Sequence, residues 1–168
     1  GCIIEFEIEN KTNQVINAPF VFQAKSDLRP TWLADWIKIQ DYEDQASYKN
    51  GRWVFQDAKN PWFAMVGSNQ NGLPGAAPIP FNSIGKGIAK SMNYQLNVPA
   101  KGKSHIQFFI AGSPQSLQDA EESYSKISQN PAALFKQKWT RLQALAQKSK
   151  INIPDKKIQE AYIWLQFN

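Results

Sequence analysis

The chain reads as a mainly β protein, an antiparallel β-sandwich followed by C-terminal α-helices, and three observations carry that reading. Apolar and polar residues alternate with a period of two in several segments before Gly112, and the period becomes 3.6 after it. Ten Phe and six Trp stand beside nine Gly and ten Pro, a mixture that suits strands joined by structured loops. No helix-period segment falls between the strands, so a parallel sheet built from crossover helices is not expected. At 168 residues and 42% hydrophobic, the chain can bury one real core with a helical segment appended.

The first strand spans residues 3–9, with Ile4, Phe6 and Ile8 on one face and Glu5, Glu7 and Glu9 on the other. Asn10 to Asn13 is a turn, and Phe20-Val21-Phe22 begins a second strand after Pro19. Trp32 to Ile39 and Arg52 to Gln56 read as further strands, with Asn50-Gly51 between them as a tight-turn signal. Trp62 to Val66 is a short apolar strand. Residues 68–87 carry Gly72, Gly75, Gly85 and Gly87 with Pro74, Pro78 and Pro80, and read as one long loop. Ile88 to Val98 places Ile88, Met92, Tyr94, Leu96 and Val98 on one face, and His105 to Ala111 turns Ile106, Phe108 and Ile110 inward. With Pro99 to Lys103 between them, these two strands are expected to form a hairpin.

Ser116 is placed to cap a helix with Leu117, Ala120, Tyr124 and Ile127 on one side. Asn130-Pro131 is a cap followed by Pro at the first helical position. Leu134, Phe135, Trp139, Leu142 and Leu145 then form an amphipathic stripe to about Ser149. Ile151 to Asp155 is a connector, with Asp155 capping a last helix over 156–167. That helix is apolar nearly all round, through Ile158, Ala161, Tyr162, Ile163, Trp164, Leu165 and Phe167. Such a helix is normally buried on several sides, so the expected organisation is a sandwich at 1–112, a helical linker at 113–154 and, at 155–168, the opening of a further domain. Tyr162, Trp164, Leu165 and Phe167 are the expected interface to it.

Charge and composition narrow the function classes. The formal net charge of +5 arises from 19 basic and 14 acidic residues, and many bases fall on the late helices. No RNP-like, Gly-rich or Arg-stacked pattern accompanies them, so a solvated helix face is favoured over a nucleic-acid partner. No apolar run reaches the roughly 20 residues of a membrane span. One Cys forbids an internal disulfide and offers no thiolate metal cluster. Cys2, directly behind Gly1, is either a lipid-attachment residue or an internal residue behind a Gly left by tag cleavage. No metal site and no cofactor are expected.

The order of elements over residues 88–168 resembles the N-terminal region of bacterial glycosidases related to glycogen-debranching and glucoamylase-type enzymes. The resemblance rests on the long strand, the Pro99/Gly102 turn and the strand Ile106-Gln-Phe-Phe-Ile-Ala-Gly112. It continues through the helix behind Ser113-Pro114, the long helix holding Trp139, and Ile153-Pro-Asp-Lys-Lys-Ile-Gln-Glu-Ala-Tyr-Ile-Trp164. Residues 1–87 match in general character only. The resemblance implies a supersandwich of the galactose-mutarotase-like kind ahead of an (α/α)6 barrel. It also implies that the absent barrel is the chain's partner, that polysaccharide or α-glucan is the substrate class, and that the parent is periplasmic or secreted. The catalytic carboxylates of these enzymes lie in the barrel, so no catalytic residue is carried over.

Within the chain itself, a glycosidase pair would need two carboxyl groups roughly 5–10 Å apart. Asp35, Asp41, Glu43, Asp44 and Asp57 lie in turn-rich sequence and read as solvated loop acids. Trp32, Trp36, Trp53 and Trp62 are interleaved with Asp35, Arg52, Gln56 and Asn60. Flat aromatic faces beside planar polar groups suit a sugar ring, whereas Trp in a sandwich is otherwise core filling. Trp32 and Trp36 share one face of the expected strand and, with Asp35, are the candidate carbohydrate-binding residues. His105, the single histidine, has no second imidazole, Cys pair or nearby acid and is expected on an outer strand face. The alternative to a glycoside hydrolase domain is a free-standing carbohydrate- or protein-binding β-sandwich with a helical tail.

Overall fold

A computed structural model describes residues 1–30, 38–82, 84–148 and 151–165. The chain divides into two compact units, Gly1–Gln129 and Asn130–Asn168. The first holds all the strands: β1 (Cys2–Glu9), β2 (Ile16–Ser26), β3 (Asp44–Lys49), β4 (Arg52–Asp57), β5 (Phe63–Ser68), β6 (Leu73–Pro74), β7 (Ile88–Val98) and β8 (Lys103–Ser113), followed by helix α1 (Leu117–Gln129). The second holds α2 (Pro131–Lys148) and α3 (Lys156–Leu165). The mainly β fold with antiparallel sheets and a helical tail is as the sequence predicts.

Two sheets form the sandwich. One runs β1-β8-β5-β4-β3 and the other β2-β7-β6, and every pairing is antiparallel. Between them lie Trp53, Phe55, Val66, Met92, Tyr94, Leu96, Val98, Ile106 and Phe108, with Ile4, Ile8, Phe20 and Phe22 packed against this core. Its centre is aromatic: Phe22 stacks on Phe108 at 3.8 Å and 13°, and Phe6 meets Phe20 edge-on at 5.4 Å. Such pairs contribute about 0.5–1.5 kcal/mol each beyond simple burial.

Continuous apolar runs such as Trp53-Val54-Phe55 and Phe108-Phe109 have a second purpose. A strand covered on both faces needs apolar residues at both parities. While Trp53, Phe55 and Phe108 face the sandwich core, Val54, Met65, Phe109 and Ala111 form a second core under α1 with Ala120 and Tyr124. Helix α1 is capped as its sequence predicts. The Ser116 hydroxyl accepts the Asp119 N–H at 3.1 Å and donates to the Asp119 carboxylate at 2.6 Å. Asn130 Oδ1 accepts the Ala133 N–H at 3.2 Å, and Asp155 Oδ1 accepts the Lys157 N–H at 2.8 Å, which sets the starts of α2 and α3.

Three expectations are corrected. β7 and β8 are not a hairpin, because β7 pairs with β2 and β6 whereas β8 pairs with β1 and β5. Their connection crosses from one sheet to the other. Alternation reports that each strand has a buried face, and an arch between sheets satisfies that as well as a hairpin does. Asn50-Gly51, with φ of 51° and 77°, turns β3 into β4, and its first strand is the polar Asp44–Lys49. Trp32 to Ile39 does not supply it: residues 31–37 lie outside the described residues, and Lys38 sits in a turn at φ 54°. β3 is a sheet edge with half of its side chains in water, so little apolar signal marks it. Finally, the long loop after Ser68 contains β6, two residues paired to β7, and an isolated bridge from Ile79 to Ala89.

Asn10 ties two chain reversals together. Its side-chain amide donates to the carbonyls of Gln14 (2.7 Å), Val98 (3.1 Å) and Pro99 (3.0 Å), while its Oδ1 accepts from the backbone and hydroxyl of Thr12. Only 3% of this residue is exposed, so the turn read from the sequence is a buried clamp between the β1–β2 and β7–β8 connections.

Candidate functional site

Of the expected carbohydrate-binding residues, Trp32, Asp35 and Trp36 all lie outside the described residues. Trp53 is core: it is buried, and its indole N–H donates to the Ser91 carbonyl at 2.8 Å. Trp62 is half-buried directly before β5. Of the expected interface residues, Trp164 and Leu165 are 70% and 73% exposed, Tyr162 is half-buried, and Phe167 lies outside the described residues. The same unit also exposes Phe135, Trp139 and Ile158.

The acidic stretch needs a correction. Asp44 and Asp57 are not solvated loop acids but buried partners across β3 and β4. Asp57 anchors the β4–β5 turn, its Oδ1 accepting the N–H groups of Lys59 and Asn60 at 2.9 and 2.6 Å. Its Oδ2 accepts the Tyr42 N–H at 3.2 Å. Asp44 Oδ2 accepts the Ser26 hydroxyl at 2.9 Å and the Leu28 N–H at 3.0 Å, leaving its Oδ1 buried without a partner. Burial raises the Asp44 carboxyl above its ordinary value, against the two hydrogen bonds and with the help of Asp57 and Asp27 nearby. The Asp27 Oδ1 is likewise buried without a partner. Asp44 and Asp57 are backbone-anchoring acids, and Asp57 has the turn geometry expected of an Asx side chain.

His105 also differs from expectation. It does sit on an outer strand face, half-exposed, but the β1–β8 register brings Glu5 and Glu7 to either side, at 3.4 Å from Nδ1 and 3.6 Å from Nε2. Neighbouring Lys103 bonds Glu7, and this hydrogen bond holds the Glu7 carboxyl below its ordinary value. Acids distant in sequence became neighbours through strand pairing, which local spacing does not reveal. Among the described residues, no three His, Cys, Asp or Glu side chains converge as a metal site would require.

A polar pocket that the sequence reading missed lies where the β3–β4 turn, the end of β5 and α1 meet. It has a volume of about 390 Å³ and is lined by Asn50, Arg52, Ser68, Asn71, Tyr124 and Ser128, among others. Arg52 lays its guanidinium over the Tyr124 ring, 4.9 Å from the centroid, and Phe109 meets the same ring edge-on at 6.2 Å. Gly67 makes this possible, since a Cβ there would stand 2.3 Å from the Tyr124 hydroxyl and 2.9 Å from the Arg52 Cβ. The loop beyond β5 is held by its own bonds. Ser68 Oγ donates to the Gln70 carbonyl at 2.7 Å, Gln70 Nε2 to the His105 carbonyl at 2.9 Å, and Asn69 Oδ1 accepts the Gln107 N–H at 2.9 Å. The available signal was the cluster Ser68-Asn-Gln-Asn71, which reads as a loop until the fold brings Arg52 and Tyr124 beside it.

No protein-family model matches the chain, and no curated protein is similar to it. Among solved structures, it is similar to a protein described as a kojibiose phosphorylase from the human microbiome, at 14% identity and a TM-score of 0.54. The likeness covers 98% of this chain and 22% of that one. The chain therefore spans about a fifth of its neighbour's length, and what the two share is the fold: a β-sandwich with helices behind it. No described helix is long and apolar enough to cross a membrane.

Proposed function

We propose that this chain is the N-terminal, non-catalytic β-sandwich and linker region of a larger sugar-active enzyme of the glycoside hydrolase type, acting on polysaccharide or α-glucan. In this reading residues 1–112 are the sandwich, 113–154 the linker and 155–168 the opening of an (α/α)6 barrel, which is the partner; the parent is periplasmic or secreted. The observation that carries it is the likeness over nearly the whole chain to one fifth of a much larger sugar-processing protein. The exposed Phe135, Trp139, Ile158, Trp164 and Leu165 support it, because an apolar helical surface of that size marks an interaction site. The role assigned to Tyr162, Trp164, Leu165 and Phe167 is to seat the barrel. The role assigned to Trp32, Asp35 and Trp36 is to offer stacking and hydrogen-bonding contacts to the glucan.

The test is expression of the chain alone and with its downstream coding region. Alone, it should hydrolyse no maltooligosaccharide, and Trp164→Ser with Leu165→Ser should raise its solubility without moving the sandwich's melting transition. With several hundred downstream codons of paired helices, activity should appear. A reading frame that closes near Asn168 would establish the free-standing module instead. Tryptophan fluorescence unchanged by glucan oligomers would remove the carbohydrate-binding role of Trp32 and Trp36.

A further inference from the structure

The pocket between the β3–β4 turn and α1 lies within the first unit, and its chemistry is specific. Arg52 is the single cation of its lining, no carboxylate lines it, and among the described residues none forms an ion pair with Arg52. A guanidinium in a pocket without an acid lacks its complement. The guanidinium carbon lies over the Tyr124 ring, 4.9 Å from its centroid, and a guanidinium's planar fork of N–H donors suits a planar, two-oxygen acceptor. Tyr124 is the second polar group of the lining. Its ring is buried, and its hydroxyl lies over the bare backbone of Gly67, where it can serve as a donor.

The remaining groups describe the rest of the ligand. Ser68, Asn69 and Gln70 spend their hydrogen bonds on holding the loop, while Asn50 and Asn71 at the rim have none among the described residues. Amides offering both donor and acceptor suit hydroxyl groups, which need both. One cation balances one negative charge, so a carboxylate fits better than the dianion of a phosphate monoester. At about 390 Å³ the pocket falls within the roughly 300–1,000 Å³ of small-molecule sites. Burial also raises the Tyr124 phenol above its ordinary value, so it remains a protonated donor at neutral pH.

We propose that this pocket binds a hydroxylated monocarboxylate of the sugar-acid class, a uronate, with Arg52 and Tyr124 gripping the carboxylate and Asn50 and Asn71 the ring hydroxyls. The inference does not depend on the glycosidase reading, since the pocket lies wholly within the first unit.

Titration calorimetry and NMR on the full chain test it, with sodium glucuronate, glucose and inorganic phosphate as probes at constant ionic strength. Glucuronate should bind with millimolar affinity, and glucose and phosphate at least tenfold more weakly. Because a charge-assisted hydrogen bond contributes about 1.5–3 kcal/mol, Arg52→Gln should weaken glucuronate roughly tenfold or more. Tyr124→Phe should weaken it about threefold to tenfold, with the melting temperature of each variant measured first. Should either variant fail to fold, exposed Asn71→Leu carries the test with an expected loss of about threefold. Equal affinity for glucose would overturn the role of the carboxylate, and equal affinity for phosphate the role of the ring. No binding at 50 mM glucuronate, or binding untouched by these substitutions, would overturn the site.

Discussion

Replacing Asn10 with Ala should destabilise the first unit by about 3 kcal/mol, within a range of roughly 2.5–6. The figure follows from the five hydrogen bonds of this side chain. The Val98 carbonyl, whose bond to Asn10 is fully buried, would lose its partner where water cannot readily replace it, a cost of about 1–3 kcal/mol. The Pro99 and Gln14 carbonyls and the Thr12 N–H are partly buried, and each should lose nearer 0.5–1 kcal/mol as water reaches it. For a chain of this size, a loss of about 3 kcal/mol should lower the melting temperature by roughly 6–12 °C. Differential scanning calorimetry on both proteins measures it. Asn10→Asp gives the sharper control, because it keeps the acceptor for Thr12 but turns a carboxylate oxygen toward three carbonyls. That variant should be at least as destabilised as Ala at pH 7 and should recover part of the loss near pH 4, where a protonated acid can donate again. A shift under 2 °C for Asn10→Ala, or an Asp variant more stable than the Ala variant at pH 7, would refute the clamp.

Two further outcomes follow from particular contacts. Burial raises the Asp44 carboxyl, so the folded state holds that proton more tightly than the unfolded chain does. Its contribution to stability is therefore present below the ordinary aspartate range near about pH 4 and is lost as pH rises through the folded value. Asp44→Asn keeps an acceptor for Ser26 and Leu28 and removes the charge, so denaturant midpoints should show the variant no less stable than wild type at pH 7. The difference between the two should vanish or reverse on acidification; a variant clearly weaker at pH 7 sinks the argument. At Gly112 an added Cβ would stand 2.7 Å from the Phe63 carbonyl oxygen, a backbone atom that can move only with its strand. Gly112→Ala should cost about 1–3 kcal/mol although the position is exposed, and a neutral result in thermal melts would show that the strand end yields freely.

Sequence alone determined what local chemistry determines. The helix starts at Ser116, Asn130 and Asp155 follow from side chains that can reach their own N–H groups, and each cap is in place. The alternation of β1 and β7 fixed which face of each strand is buried, because side chains of opposite parity must leave opposite faces of a strand, whereas in β8 it marked the Ile106 and Phe108 face and not the Phe109 and Ala111 face that α1 covers. What periodicity cannot carry is the identity of the partner strand. β7 and β8 look the same whether they pair with each other or bridge two sheets, and only the competing registers with β2 and β1 decided the matter. β3 escaped notice because an edge strand with one face in water has little apolar pattern. Asp44 and Asp57 read as surface acids because their burial arises from segments that fold over them. Tyr124 was legible as a core residue of α1, and so it is on its ring. That its hydroxyl, Arg52 and a loop of amides converge on one pocket is a product of three elements distant in sequence, packed around a glycine that leaves them room.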